Sequence, residues 1–341
     1  MIFALVVLVL LGISVLFNLG HIARSLVPMS VGRVHTIGPR LEEVTTEDNN
    51  SALKIAVVQV DGIITDRVMD QGGYSMVDVL KAQLKRAEED DKVKAVILKV
   101  DSPGGEVLAS DQISRAINEF QSKLRGKPVV CSMGSLAASG GYYISAPCRW
   151  IVANELTITG SIGVIMSTWN YRGLMDKVGV RPLTFKSGRF KDMLSGSREP
   201  DTITQEERDM VQALINETYG RFTNVVANGR EWAREKNQNK GRALTKDWPD
   251  YADGRILSGR EAYAQGFVDE LGTFEDAVKR TKTIAGIRSA NLIEYQQRYD
   301  ISDLFRLFGQ TDSKAVKVDL GLEVPKLQAG RLYFLSPTFL H

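Results

Sequence analysis

Ser139 lies in the run Gly134-Ser135-Leu136-Ala137-Ala138-Ser139-Gly140-Gly141-Tyr142-Tyr143, between two alanines and two glycines. Small neighbours let a substrate backbone approach a hydroxyl closely, and the N–H of Gly140 can face an oxyanion formed there. The same residues would also serve close helix packing, and Ser132 and Ser135 are nearby hydroxyls preceding the small-residue run. A serine hydroxyl is a weak nucleophile until a base takes its proton. The three histidines, His21, His35 and His341, leave none between Thr36 and Leu340, which excludes a Ser-His-Asp triad. A lysine desolvated enough to be partly neutral is the natural base instead. Phe185-Lys186-Ser187-Gly188-Arg189-Phe190-Lys191-Asp192-Met193 offers two lysines amid aromatic residues, and composition selects neither. Asp101-Ser102-Pro103-Gly104-Gly105 adds glycines whose N–H groups can stabilise an anion, either a phosphate or an acyl-transfer oxyanion. A plain strand-to-helix turn would read the same way.

The elements that must position these residues alternate. Ile55–Val60, Ala95–Val100 and Val129–Met133 are short β-branched runs that read as buried strands. Ser75 can cap a helix running to Glu89, with Val77, Leu80, Leu84 and Ala87 on one face, and Leu108–Leu124 reads as a second helix. The alternation predicts an α/β domain with parallel pairing. Thr204-Gln205-Glu206-Glu207 is a capping box. It opens a helix whose stripe of Met210, Val211, Leu214, Tyr219, Phe222 and Val226 suits a core or a subunit interface. The segment 291–341 is less periodic and reads as a peripheral tail; its sequence leaves open whether it covers the active site or contacts a neighbour.

At 341 residues, with 43% hydrophobic and 25% charged residues and a net charge of +2, the chain is an ordinary globular protein in composition. No basic run of the kind that tracks phosphates is present, so no nucleic-acid partner is expected. Cys131 and Cys148 fit no zinc site, and no metal or other cofactor is expected; a disulfide between them would need an oxidising compartment. Ile2 to Leu19 carries no charge and is just long enough for a membrane-spanning anchor, which needs about 20 apolar residues. It lacks the basic n-region and small-x-small cleavage site of a signal peptide. Arg24 and Arg33 follow it and, taken alone, would place the body in the cytoplasm.

Four motifs occur in order: Asp101-Ser102-Pro103-Gly104-Gly105, Ala137-Ala138-Ser139-Gly140-Gly141-Tyr142-Tyr143, Thr159-Gly160-Ser161-Ile162-Gly163-Val164, and Lys186-Ser187-Gly188 leading to Lys191-Asp192. Together with Ser258-Gly259-Arg260 and Gly266-Phe267-Val268-Asp269-Glu270-Leu271-Gly272, they resemble the signal peptide peptidase A family over about residues 54–285. The resemblance implies a ClpP/crotonase-like fold of stacked β-β-α units and a Ser/Lys-dyad serine endopeptidase. Ser139 matches the nucleophile, Lys191 the general base, Gly105 and Gly140 the oxyanion donors, and Ser161 a hydroxyl that orients the lysine. Lys186 does not match the base. Longer family members carry tandem repeats that split the dyad. A chain with one copy of each motif would therefore complete it between protomers of a homo-oligomer.

The expected organisation is an anchor over 1–22, a linker over 23–53, the peptidase domain over 54–285 and a tail over 286–341. The resemblance implies an extracytoplasmic, single-pass membrane enzyme acting on peptides such as remnant signal peptides, against the charge cue from the two arginines. A non-catalytic membrane scaffold and a crotonase-type acyl-CoA enzyme are the alternatives.

Overall fold

The structure is a computed structural model that describes residues 38–68, 73–298 and 332–335. The expected anchor lies outside the described residues, among which no helix is long and apolar enough to cross a membrane.

The elements follow in chain order. Strand β1 (Leu41–Glu47) and β2 (Lys54–Asp61) precede helix α1 (Met76–Glu89), then β3 (Val93–Ser102), the short β4 (Gly104–Glu106) and α2 (Val107–Ser122). Next come β5 (Val129–Ala138), α3 (Gly140–Ser145), β6 (Trp150–Ala153) and β7 (Ile158–Gly160). A long excursion holds α4 (Arg172–Lys177) and leads to α5 (Gln205–Lys236). Strand β8 (Ile256–Ser258), α6 (Gly259–Gln265), β9 (Glu270–Leu271), α7 (Phe274–Ile284), β10 (Asn291–Gln297) and β11 (Tyr333–Leu335) complete the described chain.

The main sheet runs β1-β10-β2-β3-β5-β6-β9, with β7 pairing β5 and β8. Every pair from β10 to β9 along that path is parallel, and only β1 at its edge and β8 on β7 are antiparallel. This is the α/β class with parallel pairing that the alternating runs predict. Parallel strands are buried on both faces, and here alternate residues of β2 serve two cores. Ala56, Val58 and Val60 face the larger one with Leu80, Leu84, Ile113 and Ile117 of α1 and α2. Ile55 and Val57 face a smaller one closed by Val278 of α7. Ser75 caps α1 in a reciprocal box with Asp78, which starts the helix where its apolar face meets the sheet. Leu84 is buried in this core, so truncating it to alanine would cost about 2–5 kcal/mol in lost apolar burial and the cavity left behind.

The sheet takes in strands from both sides of the 54–285 span. β1 comes from the expected linker, and β10 from the expected tail pairs both β1 and β2. Neither has a strong apolar signal: β1 carries only Leu41 and Val44 among charged and threonine residues, as an edge strand half in water should. The stripe on α5 divides along its length. Phe222 and Val226 are buried, whereas Met210 and Leu214 are exposed.

Candidate active site

Strand β3 ends in a glycine turn because the chain there is braced on both sides. Ser102 Oγ donates to the Gly62 carbonyl at 2.6 Å and accepts from the Gly104 N–H at 3.1 Å. Ile64 N–H donates to Gly104 O, and Glu106 N–H to Ile64 O. A Cβ on Gly105 would lie 1.9 Å from the Ile64 carbonyl oxygen, so only glycine fits between Ile64 and the groove. Gly104 has φ +101°, a conformation open mainly to glycine.

Strand β5 delivers Ser139 to the same place. Asp101 accepts from the Leu136 N–H at 3.1 Å, across the irregularity in β3–β5 pairing that precedes Ser102. Thr159 Oγ1 donates to Ala137 O at 2.7 Å, holding β7 against the end of β5. Ser139 then turns the chain into α3 with φ +52° and ψ −115°, a backbone conformation costly for a residue with a Cβ. Its N–H donates to the Gly160 carbonyl at 2.8 Å, and its carbonyl accepts from Tyr143 N–H. The side chain is 1% exposed, yet Oγ has no hydrogen-bond partner. A buried hydroxyl without a partner is costly in a folded protein, and such strained, unsatisfied groups cluster where chemistry is done.

Gly140 comes close to the glycine turn: a Cβ there would be 3.0 Å from Gly104 Cα and 3.1 Å from Gly105 N. A Cβ on Gly104 would meet Gly140 N at 2.6 Å and Phe334 O at 2.0 Å. Two glycine N–H groups and a backbone carbonyl thus converge beside Ser139. Ser161 follows the carbonyl that receives the Ser139 N–H, and it too has positive φ, +50°. Ser139, Gly140, Gly105 and Ser161 are therefore gathered at one point.

The lysines are not. Lys191 lies in the exposed excursion between β7 and α5, and Ser139 Oγ has no partner, so the two side chains are not hydrogen-bonded within one chain. Lys186 is committed elsewhere: its Nζ donates to Asp192 Oδ1 at 2.7 Å and to Arg189 O at 3.1 Å. That hydrogen bond, with Arg198 near, holds the Asp192 carboxyl below the usual aspartate range. Among the described residues the Lys191 ammonium has no ion pair, and only its backbone N–H is engaged, on Gly188 O. The excursion exposes Trp169 (82%), Leu183 (81%) and Phe185 (87%) to solvent. Large apolar side chains left this exposed are unusual on a protein surface that nothing covers.

The Gly266–Gly272 motif is structural. Gly266 ends α6 at φ +81°, and Tyr142 OH donates to Phe267 O at 2.9 Å. Asp269 pairs with the buried Arg230 and accepts from Ile151 N–H at 2.8 Å. Both cysteines are buried free thiols. Among the described residues, no cluster of histidine, cysteine and carboxylate side chains could hold a metal ion.

The sequence gives Phe222 only a place on a core or interface stripe, Tyr143 only a place in the serine motif, and segment 332–335 only membership of a tail whose contacts it leaves open. Tyr143 and Phe222 pack with Phe334 at ring distances of 4.8 and 4.6 Å. The apolar run Leu332-Tyr333-Phe334-Leu335 was the available signal, but nothing in it says where it docks.

Residues 121–288 match the model of peptidase family S49. A protein of Enterococcus faecium named for signal peptide peptidase SppA is 39% identical over 260 residues, covering 75% of this chain and 71% of the relative. A protein of a Synechocystis strain named as a protease is 42% identical over 234 residues, covering 69% and 75% respectively. Protease 4 of Haemophilus influenzae is 35% identical over 252 residues, covering 73% of this chain but 37% of that longer protein.

Proposed function

This chain belongs to peptidase family S49 and is a serine-type peptidase of the signal peptide peptidase A kind, and from that premise we propose that Ser139 is its nucleophile and Lys191 its general base. The observation that carries the assignment is the buried Ser139 Oγ, unpartnered on a strained turn beside Gly105 and Gly140. In the reaction, Oγ attacks a peptide carbonyl while its proton passes to the neutral lysine amine. The N–H groups of Gly105 and Gly140 receive the oxyanion. The C–N bond then breaks, the lysine returns the proton to the leaving amine, and water hydrolyses the acyl-enzyme by the reverse proton path. Ser161, next to the carbonyl that fixes Ser139, orients the lysine.

Lys191 reaches Ser139 from a neighbouring copy of the chain. Its absence from the hydrogen bonds of Ser139, its place on an exposed excursion and the apolar side chains displayed there support a homo-oligomer with the dyad shared between protomers. The fold is then the ClpP/crotonase-like one, with the excursion as the assembly arm. The substrates are membrane-proximal peptides such as remnant signal peptides, as the name of the Enterococcus relative suggests. The apolar segment from Ile2 to Leu19 serves as a single-pass anchor that keeps the catalytic body on the extracytoplasmic side.

The test is peptidase activity on an apolar peptide for wild type, Ser139→Ala, Lys191→Ala and Lys186→Ala. Loss in the first two variants with retention in the third is expected. Undiminished activity in Ser139→Ala would overturn the assignment.

A further inference from the structure

Strand β11 lies between two backbone edges. On one side it pairs antiparallel with β4, setting Tyr333 opposite Glu106, Phe334 opposite Gly105 and Leu335 opposite Gly104, and Val107 N–H donates to Leu332 O at 3.3 Å. On the other side Ile165 and Tyr333 exchange two hydrogen bonds of 3.2 Å each. The slot between β4 and Ile165 thus accepts an extended strand and satisfies both its edges.

Within this slot one carbonyl is singled out. Phe334 O and Gly140 N both crowd the same empty Cβ position of Gly104, at 2.0 and 2.6 Å, and Phe334 faces Gly105 in the ladder. A peptide lying in this slot with the same polarity, its attacked carbonyl against Gly105 and Gly140, must project the side chain of that residue where Phe334 projects its own. Backbone register leaves no other direction, since side chains alternate strictly between faces of a strand.

That direction ends among aromatic rings. The Phe334 ring is 0% exposed, stacks on Tyr143 at 4.8 Å with 25° between planes, and meets Phe222 at 4.6 Å. Tyr143 and Phe222 themselves contact at 4.9 Å. Tyr143 is held in place by donating its hydroxyl to Asp111 at 2.7 Å, and Asp111 is in turn paired with Arg115 and Arg221. The walls are therefore rigid, aromatic and wide enough for a phenyl ring.

We infer that Tyr143 and Phe222 form the primary specificity pocket, and that the enzyme cleaves after large aromatic residues, with phenylalanine favoured. This rests on the reading of Ser139 as nucleophile beside Gly105 and Gly140.

The experiment compares matched apolar peptides that differ only in the residue before the cut, phenylalanine, leucine or alanine, with wild-type enzyme and with Ser139→Ala as the blank. Phenylalanine should exceed alanine in kcat/KM on the order of 10²-fold, the worth of burying one large apolar side chain. In Phe222→Leu, a change mild enough to keep the core, the advantage of phenylalanine over leucine should shrink. In Phe334→Ala the apparent KM for the phenylalanine peptide should fall at unchanged kcat, since the chain's own ring no longer occupies the pocket. Cleavage that depends on Ser139 but is equal or better after alanine would overturn the pocket and leave the nucleophile standing. Cleavage independent of Ser139, or none of any peptide, would remove the underlying assignment and the pocket with it.

Discussion

The backbone N–H of Ser139 donates to the Gly160 carbonyl at 2.8 Å, joining the strained serine turn to the end of β7. Ser161 is the next residue, so one backbone hydrogen bond ties the serine turn to the residue proposed to orient the lysine. The positive φ of Ser139 is thus held by the β5–β7 pairing rather than by any preference of serine itself.

Relieving that strain should separate stability from activity. Ser139→Gly is expected to be inactive yet more stable than wild type by about 1 kcal/mol, the strain released less the entropy of an added glycine. Ser139→Ala should be inactive without that gain. Thermal unfolding of both variants alongside wild type decides it; a Ser139→Gly protein less stable than Ser139→Ala would contradict the strain.

The proposed sharing of the dyad between protomers has a sharp consequence. Ser139→Ala and Lys191→Ala should each be inactive as pure preparations, and mixing them under conditions that exchange subunits should restore part of the activity. Mixed assemblies that stay inactive, with exchange verified by labelled subunits, would place both residues of each site in one chain.

The glycine turn should tolerate no side chain. A methyl on Gly105 meets the Ile64 carbonyl oxygen at 1.9 Å, so Gly105→Ala must displace β4. A loss of about 1–3 kcal/mol in stability is expected from the overpacking. A fall of about 10²–10³ in kcat is expected from displacing the proposed oxyanion donor. Denaturant titration and steady-state kinetics read the two effects separately.

Arg230 and Asp269 are both buried and paired with each other. Asp269→Ala strands a buried guanidinium and should cost about 3–5 kcal/mol, whereas Arg230→Met combined with Asp269→Leu should cost less than the two single changes added together. Additive losses in unfolding free energy would show that the pair is not coupled.

At the start of α5, the Arg198 guanidinium and the Thr204 N–H hold the Glu207 carboxyl down at about 2, from an ordinary value of 4.5. A carboxyl depressed on folding adds stability that is full above its unfolded value and is lost as pH falls toward the folded one. Wild type should therefore exceed Glu207→Gln in melting temperature at pH 7, and the gap should narrow between about pH 4.5 and pH 2. A gap that widens on acidification would reverse the sign and refute the assignment.

The sequence by itself determined the central strands, because β-branched runs buried on both faces have few other folds open to them. It determined the caps at Ser75 and Thr204, whose boxes depend on neighbours three residues away. The small-residue runs also marked Ser139, Gly105 and Gly140, and the absence of histidine from the body pointed to a lysine base, whereas Ser161 was marked only by the resemblance to the family. Only the tertiary structure decided what depended on distant segments. β1 and β10 join the sheet as partners 240 or more residues apart, through backbone hydrogen bonds that any sequence can make. The strain at Ser139 comes from Gly160 and Ala137 holding it. Lys186 proved committed to Asp192 and Lys191 exposed, a distinction of contacts that two lysines five residues apart do not carry in their spelling. The aromatic pocket needed helices α3 and α5 and a strand from beyond residue 330 to meet. Burial and register are properties of the assembled chain, and they fixed which of the legible residues lie within reach of one another.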